Sequence, residues 1–364
     1  MRKIYFVIAD MGAGGAQRVM SLIANRLAAE GDLKICVICT SPEKGPSFYA
    51  YDPKISITYI DVPSSDGSLL SGVLVNLKRV CSLRQYLKSQ KPDLIISFLT
   101  EINCITLLAT IGKDIPVVIS ERSDPYHYPE VRLWRILRRL VYPLSNLLVC
   151  QTNRASEFFH WLKHKAVIYN PVSINEGDEP APYQAPYILG VGRHSEEKGF
   201  DILIEAHAIA QKRIPELTLV LLGDGPETQK LKELSSVLGT NNEIVFAGAC
   251  TDVGRYYKHA LAFILPSRFE GMPNALLEAM AYGCPSVVTS QFKAAPEIVD
   301  DGKSGVLLKS TDVVEMAEAI CKIYEDEGYR ECISINSRVA MQKFSPESVY
   351  KQWLDIIADK MIPL

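Results

Sequence analysis

Residues 3–40, KIYFVIADMGAGGAQRVMSLIANRLAAEGDLKICVICT, carry the signature that sets the fold. KIYFVIA (3–9) is apolar and rich in β-branched and aromatic residues, as a strand requires. A glycine turn, MGAGG (11–15), follows. From Ala16 the apolar residues Val19, Leu22, Ile23 and Leu27 recur at helical spacing, and Gly31 stands where a left-handed C-terminal cap is expected. KICVICT (34–40) is a second strand. Strand, turn, helix and strand make a βαβ unit, so one face of the helix packs on a sheet.

Downstream, the same alternation continues. DLIISFL (93–99), PVVIS (116–120) and LLVCQT (147–152) are short apolar runs separated by helical segments, which predicts a parallel sheet. A first Rossmann-like domain is expected over 1–172, ending near Asn170-Pro171. Residues 173–186, SINEGDEPAPYQAP, lack periodicity and are rich in Pro, acidic and small residues, as suits an interdomain linker. A second doubly wound α/β domain is expected over 187–345. Its strands are YILGVG (187–192), LTLVLLGDG (217–225), EIVFAG (243–248), LAFILPS (261–267) and PSVVTS (285–290), and its helices start near Phe200, residue 226 and Asn274. The tail from Pro346, with SVYKQWLDIIADKM, reads as a helix that leaves the second sheet.

Two domains also suit a chain of 364 residues with 48% hydrophobic and 22% charged residues, a balance that excludes extended disorder. The formal net charge of −3 conceals an asymmetry. Residues 1–172 hold 21 Lys and Arg against 14 Asp and Glu, whereas the remainder hold 18 against 28. A basic N-terminal half suits an anionic partner such as a membrane surface, although chance could distribute charge this way.

Nine cysteines lie scattered, several of them inside apolar runs, which fits a reducing, cytoplasmic compartment. Cys36 and Cys39 form C-x-x-C within a strand, where i and i+3 point to opposite faces, so a redox or zinc role is not expected. The N-terminal apolar stretch is too short for a signal peptide. The longest uncharged interval of the basic half, Leu140–Asn153, contains Pro143 and is shorter than the ~20 residues of a spanning helix. Any membrane contact is therefore expected to be peripheral.

Three segments carry chemistry. The glycine turn sits between strand and helix, where bare backbone and a helix start can receive a phosphate. It does not match G-x-G-x-x-G, and the second strand ends in Thr40-Ser41 rather than an acidic residue, which disfavours a dinucleotide enzyme. In PSRFEGMPNALLEAMAYGCP (266–285), Glu270 and Glu278 flank a helix start near Asn274 and Ala275. Helix-start amides can hold a diphosphate, and carboxylates can accept from sugar hydroxyls. The same spacing also suits a capping Glu270 and a solvated Glu278. Finally, Gly192-Arg193-His194 and Lys198-Gly199 follow the first strand of the second domain, at the edge where open α/β sheets bind ligands. Two cations there can balance charge on a departing diphosphate; otherwise they are a surface pair.

The order GVGR-x4-KG, LLGDGP, PS-x2-EG-x-P-x4-EAMA-x-G-x-P-x-V and PEIV-x-DG-x2-G resembles the retaining glycosyltransferases of family 4. The kinship is with their bacterial surface-glycan and lipid-linked oligosaccharide members. Gly14-Gly15-Ala16-Gln17-Arg18 is similar to the family's N-terminal GG-x-E-R. The resemblance implies a GT-B fold: two facing Rossmann-like domains, with the C-terminal helix, 346–364, crossing back to the N-terminal, acceptor-binding domain. It implies Arg193, Lys198 and Glu270 as catalytic residues, the cations at the donor diphosphate and Glu270 at the donor sugar. Gly271, Met272, Pro273, Asn274 and Ala275 would line the donor, Glu278 the ribose, and the backbone near Ala249-Cys250 the base. Gly15 would lie near phosphate or acceptor, and Gly14, Glu121 and Arg122 on the acceptor side. Two departures stand out. Gln17 replaces the usual Glu, and Arg122 stands where many relatives carry His.

No D-x-D occurs, so neither metal nor cofactor is expected. The expected reaction is retaining transfer of a hexose or N-acetylhexosamine from a nucleotide diphosphate sugar, UDP before GDP, to a membrane-associated, lipid-linked glycan. A soluble acceptor and a non-catalytic nucleotide-sugar-binding protein are the alternatives. Expected partners are the donor, the glycan acceptor and an anionic membrane surface, without nucleic acid, at the inner face of the cell membrane. For the last, Arg132, Arg135 and Arg139 are expected on one side of a helix and Leu133, Ile136, Leu137 and Leu140 on the other, with Arg138 counted as the fourth arginine that meets the anionic surface. Segment 74–91, with Lys78, Arg79, Arg84, Lys88 and Lys91, repeats the tendency. Both segments also suit ordinary outer helices.

Overall fold

The computed structural model describes residues 2–41, 45–60, 69–128, 131–174, 177, 180–184, 186–250 and 252–361; linker residues 175, 176, 178, 179 and 185 lie outside the described residues. The chain divides into two compact units, one of residues 1–171 with 347–364 and one of residues 172–346.

In the first unit, the quoted βαβ is β1 (Arg2–Ile8), α1 (Gly15–Ala28) and β2 (Leu33–Cys39). Then come β3 (Ser56–Tyr59), α2 (Leu69–Gln90), β4 (Leu94–Phe98), α3 (Thr100–Thr110), β5 (Val117–Glu121), α4 (Arg132–Val141), β6 (Leu147–Cys150), α5 (Asn153–Phe158) and β7 (Lys165–Val167). The sheet order is β3-β2-β1-β4-β5-β6-β7, every pair parallel. Parallel strands are covered on both faces, which is why they read as unbroken apolar runs. Tyr5, Val7, Cys36 and Ile119 face α2, α3 and α4 through Leu83, Ile105 and Trp134. Ile4, Phe6, Ile8 and Cys39 face α1 through Val19 and Ile23. Cys36 and Cys39 thus lie on opposite faces, both buried and free.

The second unit has β8 (Tyr187–Val191), α6 (Phe200–Ala210), β9 (Thr218–Leu222), α7 (Thr228–Val237), β10 (Ile244–Gly248), α8 (Gly254–His259), β11 (Ala262–Leu265), α9 (Asn274–Ala281), β12 (Ser286–Thr289), β13 (Val306–Leu308), α10 (Val313–Glu325) and α11 (Glu327–Ala340). Its sheet order is β10-β9-β8-β11-β12-β13, again parallel. Each sheet reverses its winding beside its first strand, between β1 and β4 and between β8 and β11. At such a switch point the loops leave in opposite directions and open a crevice at the carboxyl edge.

The last helix, α12 (Pro346–Met361), belongs to the first unit. Val349, Trp353 and Ile357, spaced four apart, enter the cluster that α1 covers. The Trp353 ring stacks on Phe98 at 6.4 Å.

Helix α4 departs from the expected arrangement. Its inner face is Trp134, Arg138 and Val141, with Leu137 partly buried, whereas Leu133 (44%), Ile136 (48%) and Leu140 (67%) are exposed together with Arg132, Arg135 and Arg139. Arg138 is buried because its guanidinium donates to the Tyr128 carbonyl at 2.7 Å and the Pro125 carbonyl at 3.2 Å and lies over Phe158. A buried cation with satisfied donors and an aromatic face is tolerated where a bare one is not. Among the described residues no helix is long and apolar enough to cross a membrane.

Candidate active site

The switch point of the second sheet brings together two of the residues singled out above. Gly192 and Arg193 leave the end of β8, and a short 3-10 turn, Glu196–Lys198, carries Lys198 back over the crevice. Glu270 lies in the loop after β11, the neighbouring strand on the far side of the switch point. Lys198 Nζ donates to Glu270 Oε1 at 2.6 Å, and Ser267 Oγ donates to the same oxygen at 2.9 Å. The side chains are 21% and 12% exposed, so this pair is partly desolvated but open to a ligand. Arg193 is exposed on the same loop as Lys198.

Directly after Glu270, residues Gly271–Pro273 lead into α9, whose first residues are Asn274 and Ala275. The first amides of a helix have no intrahelical acceptor and sit at its positive end, and α9 has no acidic residue in its first turn to neutralise that end. Glu278, one turn further, is buried and accepts a long hydrogen bond of 3.4 Å from Tyr257 Oη. Met272 and Pro273 are buried beneath the loop.

Three neighbouring loops are locked to one another at this edge. Gly192 N–H donates to Leu222, His194 N–H to Asp224, and Gly223 N–H to Gly248. A Cβ on Gly223 would come within 1.9 Å of the Gly192 carbonyl oxygen, and one on Gly225 within 2.4 Å of that of His194. The glycines of LLGDGP are therefore demanded by close backbone approach. His194 is fully buried, edge-on to Phe200 and Phe246, with Nδ1 2.9 Å from Thr228 Oγ1. Thr228 in turn donates to Asp224 at 2.7 Å, which makes Nδ1 the protonated nitrogen; Nε2 is buried without a partner. Burial lowers the His194 pKa, so the ring is neutral and acts as a brace for the Arg193 loop. Cys250 lies on the loop after β10, at the far end of the same edge, with Sγ directed at the Asp252 carbonyl.

The residues assigned to the acceptor side lie in the first unit. Gly14 caps α1, Gly15 begins it, and Gln17 folds back over the turn, its Nε2 donating to Asp10 Oδ1 at 2.8 Å; Gly12 N–H donates to the same oxygen at 2.9 Å. A Cβ on Gly14 would meet the Gln17 amide at 2.0 Å. The carboxylate beside this turn is thus Asp10, a residue that the sequence motif does not mark.

Glu121 ends β5, Arg122 follows it, and the two point to opposite faces. Glu121 is fully buried, accepting from Thr100 Oγ1 at 2.8 Å and Tyr142 Oη at 2.7 Å. Burial raises its pKa despite these two donors. Arg122 donates to Ser120 and Asn170 and lies over the Phe98 and Trp353 rings, with Nη2 buried and without a partner. In this structure both are interior groups.

Two family models divide the chain. "Glycosyltransferase Family 4" matches residues 13–176, and "Glycosyl transferases group 1" matches residues 174–340. The chain belongs to the family 4 glycosyltransferases. It is similar over its whole length to a Campylobacter jejuni enzyme, GalNAc-α-(1→4)-GalNAc-α-(1→3)-diNAcBac-PP-undecaprenol α-1,4-N-acetyl-D-galactosaminyltransferase, with 27% identity covering 99% of each chain. Among solved structures it resembles sucrose-phosphate synthase from Thermosynechococcus elongatus, with a TM-score of 0.85, 16% identity and 99% of each chain covered. HepE of Anabaena, in complex with UDP and glucose, gives a TM-score of 0.81 at 22% identity, covering 99% of this chain and 100% of that one. These structural likenesses establish the GT-B fold of this glycosyltransferase.

Proposed function

We propose that this glycosyltransferase moves a hexose or N-acetylhexosamine from a UDP-sugar, with retention of configuration, onto a lipid-linked glycan at the inner face of the cell membrane. The observation that carries the reading is the Lys198–Glu270 pair, 2.6 Å apart at the switch point and followed by the start of α9. In this reading Lys198 and Arg193 balance the charge that grows on the departing diphosphate, and the amides of Asn274 and Ala275 share it. Glu270 accepts from hydroxyls of the donor sugar and Glu278 from those of the ribose. The C. jejuni relative is named for an undecaprenol-linked acceptor, which supports a lipid-linked acceptor here. The direct test offers a panel of UDP- and GDP-sugars and follows nucleotide release with and without an undecaprenyl-diphosphate-linked glycan. UDP release that an acceptor accelerates is the expected result; nucleotide binding without any release would leave only a binding protein.

Leaving-group charge is assigned to Arg193 and Lys198, and the sequence has no D-x-D, so turnover is expected to survive exhaustive EDTA treatment. Collapse that Mg²⁺ or Mn²⁺ alone restores would transfer the role to a metal.

Membrane contact is assigned to α4. Leu133, Ile136 and Leu140 form an exposed stripe at i, i+3 and i+7, flanked by exposed Arg132, Arg135 and Arg139. Each basic residue near an anionic surface is worth ~1 kcal/mol, a contribution that salt screens. Sedimentation with anionic liposomes should exceed that with neutral ones and fall with salt. Changing Arg132, Arg135 and Arg139 to Gln should weaken it without unfolding the protein, because buried Arg138 is left in place. Equal sedimentation of this variant and the wild type would remove α4 from the membrane and favour a soluble acceptor.

A further inference from the structure

Lys198 and Glu270 sit on two loops that have no covalent connection near the crevice, and a second set of contacts ties those loops together. Arg268, between Ser267 and Glu270, grips both carboxylate oxygens of Asp201, Nη1 to Oδ1 at 3.0 Å and Nη2 to Oδ2 at 2.6 Å. Asp201 is in the first turn of α6, directly after the turn that carries Lys198. The same guanidinium donates to the Glu196 carbonyl at 2.6 Å, and the Arg268 N–H donates to the Glu197 carbonyl at 2.8 Å. These bonds of Arg268 all run from the Glu270 loop to the Lys198 loop and the start of α6.

The backbones also touch. Gly199 holds a positive φ of 68°, and a Cβ there would come within 2.4 Å of the Pro266 carbonyl oxygen. Behind it, the Ser267 carbonyl accepts from buried Thr289 Oγ1 at 2.8 Å, which anchors the Glu270 loop to β12. Arg268 and Asp201 are about as exposed as ordinary surface residues, 34% and 45%, so their pairing contributes little to global stability. A planar, two-point grip instead fixes direction, which a single-point contact does not.

We propose that Arg268 and Asp201 are positioning residues for sugar transfer, holding the loop that carries Lys198 in register with the loop that carries Glu270. The proposal rests on the reading of Lys198 and Glu270 given above. Misplacement of a reacting group by ~1 Å can cost ~100-fold in rate, so a strap of this kind acts on kcat with little effect on folding.

The variants R268A, R268K and D201N are compared with wild type, in steady-state donor turnover and in amide hydrogen exchange of the full chain. R268A should lower kcat ~10-fold or more. R268K, which restores charge without the two-point grip, should recover only part of the loss. In a K198A background R268A should cost clearly less than in the wild type, because part of the strap's effect is exerted through Lys198. Exchange should rise in R268A over residues 195–201 and 266–271 and stay at the wild-type level in β8 and β11. Wild-type kcat in R268A, or an equal loss in both backgrounds, would overturn the proposal. A wild-type protein that turns over no donor would sink the functional reading instead. The exchange comparison would then decide the strap by itself, with unchanged protection of both loops in R268A counting against it.

Discussion

Lys198→Ala is expected to lower sugar-transfer turnover ~100-fold or more, the loss typical of removing one positioned electrostatic donor. The ammonium is held at 2.6 Å from Glu270 in a partly desolvated crevice, where its charge is worth more than it would be in water. Truncation has a second consequence. It leaves Glu270 with Ser267 as its remaining side-chain donor among the described residues, so the carboxylate proposed to face the donor sugar loses orientation as well. Arg193→Ala should fall in the same range through kcat, because Arg193 is exposed and the substitution removes its charge. The distinguishing measurement is kcat and KM for donor turnover in each variant, beside Arg213→Ala as a surface control, since Arg213 pairs with Glu318 and Glu325 on the outside of the second unit. Turnover within twofold of wild type in both site variants would take leaving-group stabilisation away from these cations.

The βαβ start, and the parallel strands after it, were legible because strands buried on both faces show as unbroken apolar runs bounded by glycine turns. Elements without such a run were not. β3, β7 and β13 are edge strands of three or four mostly half-buried residues, too short for a period to register. α10 and α11 lie between the last family motif and Pro346, where no chemistry drew attention to them. In α4 the spacing of apolar residues separated leucines from arginines, but a wheel cannot tell which side faces the sheet. Trp134 and aromatic-stacked Arg138 took the interior, and Leu133, Ile136 and Leu140 were left outside.

The site divides along the same line. The meeting of Lys198 and Glu270 was legible because each follows a strand end at a motif spacing, and the switch point brings strand ends together whatever the side chains are. Arg268 and Asp201 are 67 residues apart and belong to no shared motif, so their pairing had no local signal. Asp10 and Gln17 were hidden in another way. The motif comparison registered Gln17 as a lost carboxylate, whereas folding of the turn supplies one from Asp10, seven residues earlier. A carboxylate missing from the linear motif can thus still stand beside the turn, supplied by a neighbour that only folding brings near.

The C-terminal helix offers the largest expected effect on stability. Trp353 is fully buried where α12 meets the first sheet, stacked on Phe98 and with the Arg122 guanidinium 5.8 Å from its ring. Truncating a buried Trp to Ala costs ~3–5 kcal/mol through lost transfer energy and the cavity left behind. The loss here should sit at the upper end, because Arg122 is already short of one hydrogen-bond partner and would lose one of its two aromatic faces too. Trp353→Phe should cost much less. It keeps the stack, and it removes an indole N–H that is buried without an acceptor. The chain contains three tryptophans, Trp134, Trp161 and Trp353, all in the first unit, so denaturant unfolding followed by tryptophan fluorescence reports that unit and still does so in either variant. The expected result is a large fall in midpoint for Trp353→Ala and a small one for Trp353→Phe. An unmoved midpoint in Trp353→Ala would mean that α12 is docked weakly and that the first unit folds without it.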